Sequence, residues 1–228
     1  MRTKLSIAAA LVAAPLLWAA DAQALTITIN GGESPTFPPT FTTLIAGDGP
    51  ITLAPTACCG AANSFIVSAT AAGTPSLPSG QLDSNTIDIN STGAGTLIVW
   101  VTETGLTTPL GKVMFTSGLT ANTLAGGISS VTLSTFVSST DGISPPNGTP
   151  LDKATFTGIG SQTASTVAAT GAGPYSLQKV FTVHATGAGN TSLGIDLASR
   201  AVPEPTSLAI VGTGLVGLGL LRKRRRIA

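Results

Sequence analysis

The chain has 228 residues, of which 43% are hydrophobic and only 9% are charged, with 27 Gly and 15 Pro. Ordinary soluble domains carry about a quarter charged residues, so the composition excludes a cytosolic domain of the usual kind. Between 25 and 201, 32 Thr and 19 Ser supply the polar surface, while four basic and eight acidic residues give a net charge of −4, which excludes a basic nucleic-acid-binding surface there.

The N-terminal segment predicts a secretory signal peptide at 1–24. A short basic start precedes an apolar run at 5–20, and Ala22 and Ala24 form the A-x-A pattern of a cleavage site. Signal peptidase would leave Leu25 as the mature N-terminus, so the mature protein should leave the cytosol. The alternative is an uncleaved membrane anchor.

Apolar and polar residues then alternate with a period of two. Together with the enrichment in Thr and Val, this alternation is typical of half-buried antiparallel strands. The alternating runs are 25–29, 65–70, 86–90, 96–103, 131–137, 181–183 and 193–197. Many short strands separated by turn signals predict an all-β fold for 25–201, an antiparallel β-sandwich of the immunoglobulin-like or jelly-roll kind.

Turn chemistry falls between these runs. The tetrapeptide Thr-Gly-Ala-Gly begins at Thr92, Thr170 and Thr186. Since two of its copies flank one strand, it predicts a three-stranded meander with short glycine loops. The three strands would be 163–169, 177–185 and 191–199. The proline-rich stretch 33–56 predicts an irregular or extended chain, so 25–60 should be a partly irregular lead-in.

Cys58 and Cys59 are adjacent and are the two cysteines of the chain. Oxidation is expected outside the cytosol, but neighbouring Cα atoms lie about 3.8 Å apart, below the usual disulfide range. Three interpretations stay open: a strained vicinal disulfide, a covalent cross-link to another chain, and two small buried residues.

No catalytic residues, metal site or cofactor are predicted. His184 is the single histidine, it lies in a strand pattern, and no G-x-S-x-G motif occurs. The glycines of 212–217 fit a dinucleotide fingerprint but lack the acidic residue about 20 positions further on. Asp83, Asn85, Asp88 and Asn90 offer oxygen ligands, yet their spacing differs from that of a calcium loop, which favours a polar turn.

The C-terminal segment, 202–228, has three parts. Val202, Pro203, Glu204 and Pro205 precede an apolar stretch at 206–221, which would span about 24 Å as a helix and predicts a single transmembrane segment. Five cations follow, within the basic tail 222–228, and should stay on the cytoplasmic side. They are Arg222, Lys223, Arg224, Arg225 and Arg226.

This order of motif, apolar helix and arginine-rich end resembles the PEP-CTERM sorting signal of Gram-negative bacteria that make exopolysaccharide; the same tail is also called an ice-binding-protein C-terminal domain. The resemblance covers 202–228. It implies that a membrane-embedded transpeptidase, exosortase, recognises the motif, removes the tail, and releases or re-anchors the protein outside. The alternative is a simple single-span anchor with a proline linker.

The sequence thus predicts an exported protein, anchored in the membrane before processing and then located at the cell surface or in the extracellular matrix. The resemblance and the hydroxyl-rich body favour a non-catalytic structural or adhesive role with exopolysaccharide. A surface module that binds carbohydrate, calcium or ice is the alternative, and an enzyme is the least favoured hypothesis.

Overall fold

The structure, a computed structural model, describes residues 24–31, 42–47, 49–58, 64–140 and 148–202, together with Val211, Thr213 and Leu215. Ten antiparallel β-strands make up this part of the chain, which confirms the predicted all-β class. The strands are β1 (Leu25–Gly31), β2 (Thr42–Gly47), β3 (Ile51–Cys58), β4 (Phe65–Ala72), β5 (Gln81–Ser91), β6 (Ala94–Leu106), β7 (Lys112–Ser138), β8 (Thr149–Phe156), β9 (Gly160–Ala169) and β10 (Tyr175–Ala201).

Two strands, β7 and β10, have 27 residues each and organise the fold. The first part of β10, 175–186, pairs with β6 and with 128–138 of β7. The second part, 189–201, pairs with β5 and with 113–126 of β7. Each part therefore lies at the centre of a group of strands. Layer 1 has the order β2-β1-β6-β10-β7-β8, and layer 2 has the order β3-β4-β5-β10-β7-β9.

The two layers face each other because both long strands fold back on themselves. The Lys179 ammonium donates a hydrogen bond to the carbonyl of Ile195 on the same strand. Because sixteen residues of straight strand would span about 53 Å, this hydrogen bond requires β10 to bend back between Lys179 and Ile195. In β7, the hydroxyls of Ser117 and Thr135 lie 2.8 Å apart in the same way.

Glycines allow the two bends to nest against each other. Gly126 has a φ of +66°, and a Cβ on Gly127 would lie 2.5 Å from the carbonyl carbon of Gly187. On the other strand, a Cβ on Gly189 would lie 2.4 Å from the carbonyl oxygen of Ala125. A real Cβ atom does not approach a backbone so closely, so both positions require glycine.

One hydrophobic core fills the space between the layers. Alternate residues of each strand point into it, as the period of two predicts. Phe181 and Val183 from layer 1 and Leu193 and Ile195 from layer 2 all belong to this cluster and are fully buried.

The predicted three-stranded meander is wrong in its pairing. Residues 177–185 and 191–199 are not neighbouring strands of a hairpin but two parts of β10 in opposite layers, and β9 pairs with β7. Of the predicted irregular or extended stretch 33–56, residues 33–41 and 48 lie outside the described residues, and the rest include β2 and most of β3. β2 pairs with β1 and β3 pairs with β4, and each pairing contains one register shift.

Among the described residues, no helix is long and apolar enough to cross a membrane. The predicted signal peptide lies outside these residues except for Ala24. The predicted transmembrane segment 206–221 also lies outside them, except for Val211, Thr213 and Leu215, which have helical backbone.

Candidate functional site

A groove of about 380 Å³ crosses the outer face of layer 2. Its central row takes one residue from each of four strands, with Asp83 opposite Asp196, Asp196 opposite Gly118, and Gly118 opposite Thr163. The inward-facing neighbours Leu82, Leu197 and Leu119 belong to the core. The groove therefore lies directly over the core, on the solvent side of the sheet.

The lining combines hydrogen-bonding and apolar groups. The neighbouring row adds the amide of Gln81, the methyl group of Ala198 and the hydroxyl of Thr116, and Leu77 closes one side. Thr116 Oγ1 lies 3.0 Å from Ser165 Oγ on β9, which fixes its position. Among the residues that the structure describes, no lysine, arginine or histidine lines the groove. The surface it offers is thus acidic and hydroxyl-bearing.

A buried ammonium lies beneath the two groove carboxylates. Lys179 projects from layer 1, is fully buried, and crosses the core to donate hydrogen bonds to Ser84 Oγ at 3.3 Å and to the carbonyl of Ile195. These two residues immediately adjoin Asp83 and Asp196. Burial lowers the pKa of Lys179 to about 7, while the negative charges of Asp83, Asp196 and Glu103 act in the opposite direction.

Glu103 is the second charged residue of the core and is also fully buried. Its Oε1 accepts a 2.6 Å hydrogen bond from the backbone N–H of Thr74. Burial raises the pKa of this carboxyl, and the bond from Thr74 and the charge of Lys179 only partly oppose the rise. A Cβ on Gly73 would lie 2.7–2.9 Å from the carboxyl group, so the chain at Gly73 packs directly on it.

Tyr175 completes this polar group at the start of β10. Its hydroxyl donates to the carbonyl of Thr108 at 3.1 Å, and the same carbonyl accepts from Ser79 Oγ at 2.6 Å. Burial raises the pKa of Tyr175 to about 12, with a further contribution from the negative charge of Glu103. These bonds tie the loop after β4 to the loop after β6.

The structure separates the acidic residues that could have formed a calcium site. Asp83 lies in the groove, whereas Asp88 is opposite Ser192 and Asn90 is opposite Asn190, further along the outer face of β5. Within the described part of the chain, no group of three or more His, Cys, Asp or Glu side chains could hold a metal ion.

His184 is an exposed residue of β10, as its strand pattern predicts. Its Nδ1 lies 2.9 Å from Thr96 Oγ1 on β6. Neither Asp nor Glu is among its cross-strand partners, which are Thr96 and Ser130.

Cys58 is the last residue of β3 and packs, partly buried, against the core. Cys59 lies outside the described residues, so the three interpretations of the pair stay predictions.

The ends of the body lie in the sheet. The carbonyl of Ala24 accepts hydrogen bonds from the backbone N–H and the hydroxyl of Thr104, at 3.0 and 3.3 Å. Ala22 lies outside the described residues. At the other end, the N–H of Val202 donates to the carbonyl of Lys112 at 3.1 Å. Pro203, Glu204, Pro205 and the basic residues 222–226 lie outside the described residues.

The segment that begins at this last strand residue matches a family model. Residues 201–226 match the PEP-CTERM protein-sorting motif. The chain carries a PEP-CTERM sorting signal. The match starts at Ala201, the last residue of β10, and confirms the resemblance that the C-terminal sequence indicates. A PEP-CTERM signal implies an exported protein that an exosortase recognises and that is sorted to the cell surface.

No curated protein matches the chain. Solved structures show only distant likeness to the chain. The chain is similar to TmCBM61 in complex with β-1,4-galactotriose (8% identity, 58% of this chain and 87% of that chain, TM-score 0.30). It is similar to the enzymatically active domain of bacteriophage CBA120 tailspike protein 4 (14% identity, 60% of this chain and 19% of that chain, TM-score 0.31). It is also similar to broad bean stain virus (9% identity, 86% of this chain and 98% of that chain, TM-score 0.25). TM-scores this low do not establish a shared fold.

The sequence analysis singled out Asp83 but missed Asp196, Gly118, Glu103 and Lys179. A signal for the last two was present. Lys179 shares its strand parity with Phe181 and Val183, and Glu103 shares that of Leu97, Val99 and Val101, so both occupy inward-facing positions. The pairing of Asp83 with Asp196 had no such signal because 112 residues of sequence separate them.

Proposed function

We propose that this PEP-CTERM protein is exported, processed at its tail by exosortase, and then has a non-catalytic structural or adhesive role with exopolysaccharide at the cell surface or in the matrix. The observation that carries the proposal is the sorting motif at 201–226, which begins at Ala201, the last residue of β10. Signal peptidase removes 1–24, and 206–221 anchors the chain in the membrane until processing.

The place of the motif supports this order of events. Val202 makes the last described backbone hydrogen bond of the sheet, and Pro203 has no N–H with which to continue it. Cleavage after this point removes no hydrogen bond and no core side chain described in the body. The processed protein therefore keeps its fold.

The body is suited to a role outside the cell. We infer that its two packed layers form a β-sandwich, with few charges and many hydroxyls on its outer faces. A neutral, hydroxyl-bearing surface can approach polysaccharide without the long-range repulsion that a strongly charged surface would cause.

The absence of catalysis is part of the proposal. His184 is exposed and has hydroxyl neighbours in place of a carboxylate, and the buried Lys179 and Glu103 lie under the sheet, away from any substrate. A second candidate function, a ligand-binding module, is favoured by the groove of layer 2.

Mapping of both termini by intact mass, on protein recovered from the native cell surface and medium, tests the proposal. We expect a chain that begins near Leu25 and ends between Pro203 and Thr206. The double substitution Glu204→Ala with Pro205→Ala should leave the tail attached and the protein in the membrane fraction. The matched control Pro150→Ala, in β8, should be processed as the wild type is.

Recovery of wild-type protein that retains Arg222–Arg226 would overturn the proposal, because the segment would then be an ordinary single-span anchor. Equal processing of the double variant and the control would also contradict it.

A further inference from the structure

We propose that the groove on the outer face of layer 2 binds a neutral polysaccharide chain, with Asp83 and Asp196 accepting hydrogen bonds from sugar hydroxyls. The inference rests on the proposed function, since a protein sorted to the cell surface meets polysaccharide chains there. It assigns the contact to this groove of the protein.

Gly118 forms the floor of the groove, and the fold does not require glycine at this position. Its φ lies outside the left-handed region, and the nearest atoms to an added Cβ would be Cβ and Oδ2 of Asp196, both at 3.8 Å. That is ordinary van der Waals contact. Glycine in a strand interior lowers stability and often marks a site where a ligand approaches the backbone. The depression at Gly118 is therefore available to a ligand.

The opposed carboxylates need an explanation of their own. Like charges directly opposite each other on neighbouring strands destabilise a sheet. Asp83 and Asp196 form such a pair, at least partly open to solvent, and the amine of Lys179 lies below them, hydrogen-bonded to the neighbouring Ser84. Oδ1 of Asp83 is buried, so the exposed carboxylate of Asp196 offers the main acceptor for hydroxyl donors.

The rest of the lining selects the class of ligand. The Gln81 amide and the Thr116 and Thr163 hydroxyls donate and accept, while Leu77 and Ala198 offer apolar surface to the C–H faces of a sugar ring. Without a lining cation, the groove repels acidic polymers. Its volume of about 380 Å³ lies within the range of about 300–1,000 Å³ found for small-molecule sites.

A calcium ion is a poorer occupant than a sugar. Calcium takes 6–8 oxygen ligands, usually with several carboxylates, whereas this groove has two carboxylates and Asp88 lies further along β5.

Affinity electrophoresis of the full chain in detergent, through gels that contain dextran, a neutral galactan, glucomannan or alginate, tests the inference. We expect retardation by at least one neutral polymer and none by alginate, which is a polyanion. Retardation by alginate alone, or by no polymer, would overturn it.

Substitutions locate the site. Asp196→Ala removes one acceptor and should weaken binding by about tenfold or more. Gly118→Val fills the floor and should abolish binding, yet raise Tm by roughly 2–4 °C because valine suits a strand better than glycine. The matched control Asp88→Ala, on the same face but outside the groove, should bind as the wild type does.

Wild-type affinity in both Asp196→Ala and Gly118→Val would exclude the groove as the site. The higher Tm of Gly118→Val separates lost binding from lost folding. Sorting is read from the termini of cellular protein and binding from purified protein. A protein that binds in the groove but keeps its tail in cells would thus refute the proposed function and leave this inference standing.

Discussion

Two ionisable side chains, Lys179 and Glu103, occupy inward-facing positions of a core that consists mainly of Leu, Val, Ile, Phe and Ala. Burying an unpaired charge costs several kcal/mol, so such a residue either finds partners or becomes neutral. Lys179 finds Ser84 and the carbonyl of Ile195, and Glu103 finds the N–H of Thr74. These bonds link layer 1 to layer 2 through polar contacts inside a mainly apolar core.

The buried ammonium makes stability depend on pH. Because the pKa of Lys179 is about 7 in the folded protein and near 10.5 in the unfolded chain, the unfolded chain binds more protons between these values. The free energy of unfolding should therefore rise as pH is raised from about 7 towards 10.5. Urea denaturation at a series of pH values measures this rise.

Replacing the amine identifies the group responsible. Lys179→Met has a similar volume and cannot titrate, so its unfolding free energy should not rise over this range. Lys153→Met, at an exposed position, should keep the wild-type profile. If Lys179→Met showed the same rise as the wild type, another group would be the cause. The raised pKa of Glu103 has the opposite effect on stability. Above about pH 4.5 the folded protein keeps a proton that the unfolded chain loses, so the free energy of unfolding falls as pH rises there.

At the scale of elements, the bends of β7 and β10 distinguish this fold from two separate sheets. Each long strand supplies a central strand to both layers, so the layers share their backbone as well as their core. Gly126 and Gly127 in β7 and Gly189 in β10 allow the two bent strands to approach each other closely.

Substitution at the bend tests its packing. Gly189→Ala places a Cβ 2.4 Å from the carbonyl oxygen of Ala125, and backbone cannot move aside easily. We expect a loss of about 1–3 kcal/mol in the free energy of unfolding, measured by urea titration. Gly187→Ala is the matched control, two residues away in the same bend, where an added Cβ has no neighbour within 4 Å.

The control should be neutral, or more stable by about 0.4–1 kcal/mol through reduced freedom of the unfolded chain. Equal effects of the two substitutions would mean that close packing does not hold the bend.

Sequence periodicity located strands such as β1, β4 and β6, but it missed β2, β3, β8 and these bends. Thr-Gly-Ala-Gly at 92–95 joins β5 to β6, the copy at 170–173 lies in the loop before β10, and the copy at 186–189 is the bend inside β10. The same four residues serve as a turn, a loop and a bend. Local conformation permits all three, and the partner strand at 125–128 decides which one forms.

For the whole molecule, we expect the body and the sorting segment to be separate in their energetics. The last described hydrogen bond of the sheet ends at Val202. A chain that ends at Val202 should therefore unfold at the same Tm as the full-length protein, within about 2 °C, by circular dichroism. A chain that ends at Thr186 serves as the contrast and should not fold, because it lacks the central strand of layer 2. A large decrease in Tm for the first truncation would show that the tail is part of the folding unit.

By itself, the sequence determined the class of fold, the positions of many of the strands and the sorting signal. These properties are local: an alternating pattern, a proline-flanked motif and a basic end lie within a few residues of one another. The sequence did not determine which strands pair, that β7 and β10 belong to both layers, or that Asp83 faces Asp196 across 112 residues of sequence. Only the tertiary structure decided these, because burial of one shared core selects the pairing, and contacts distant in sequence leave no local pattern.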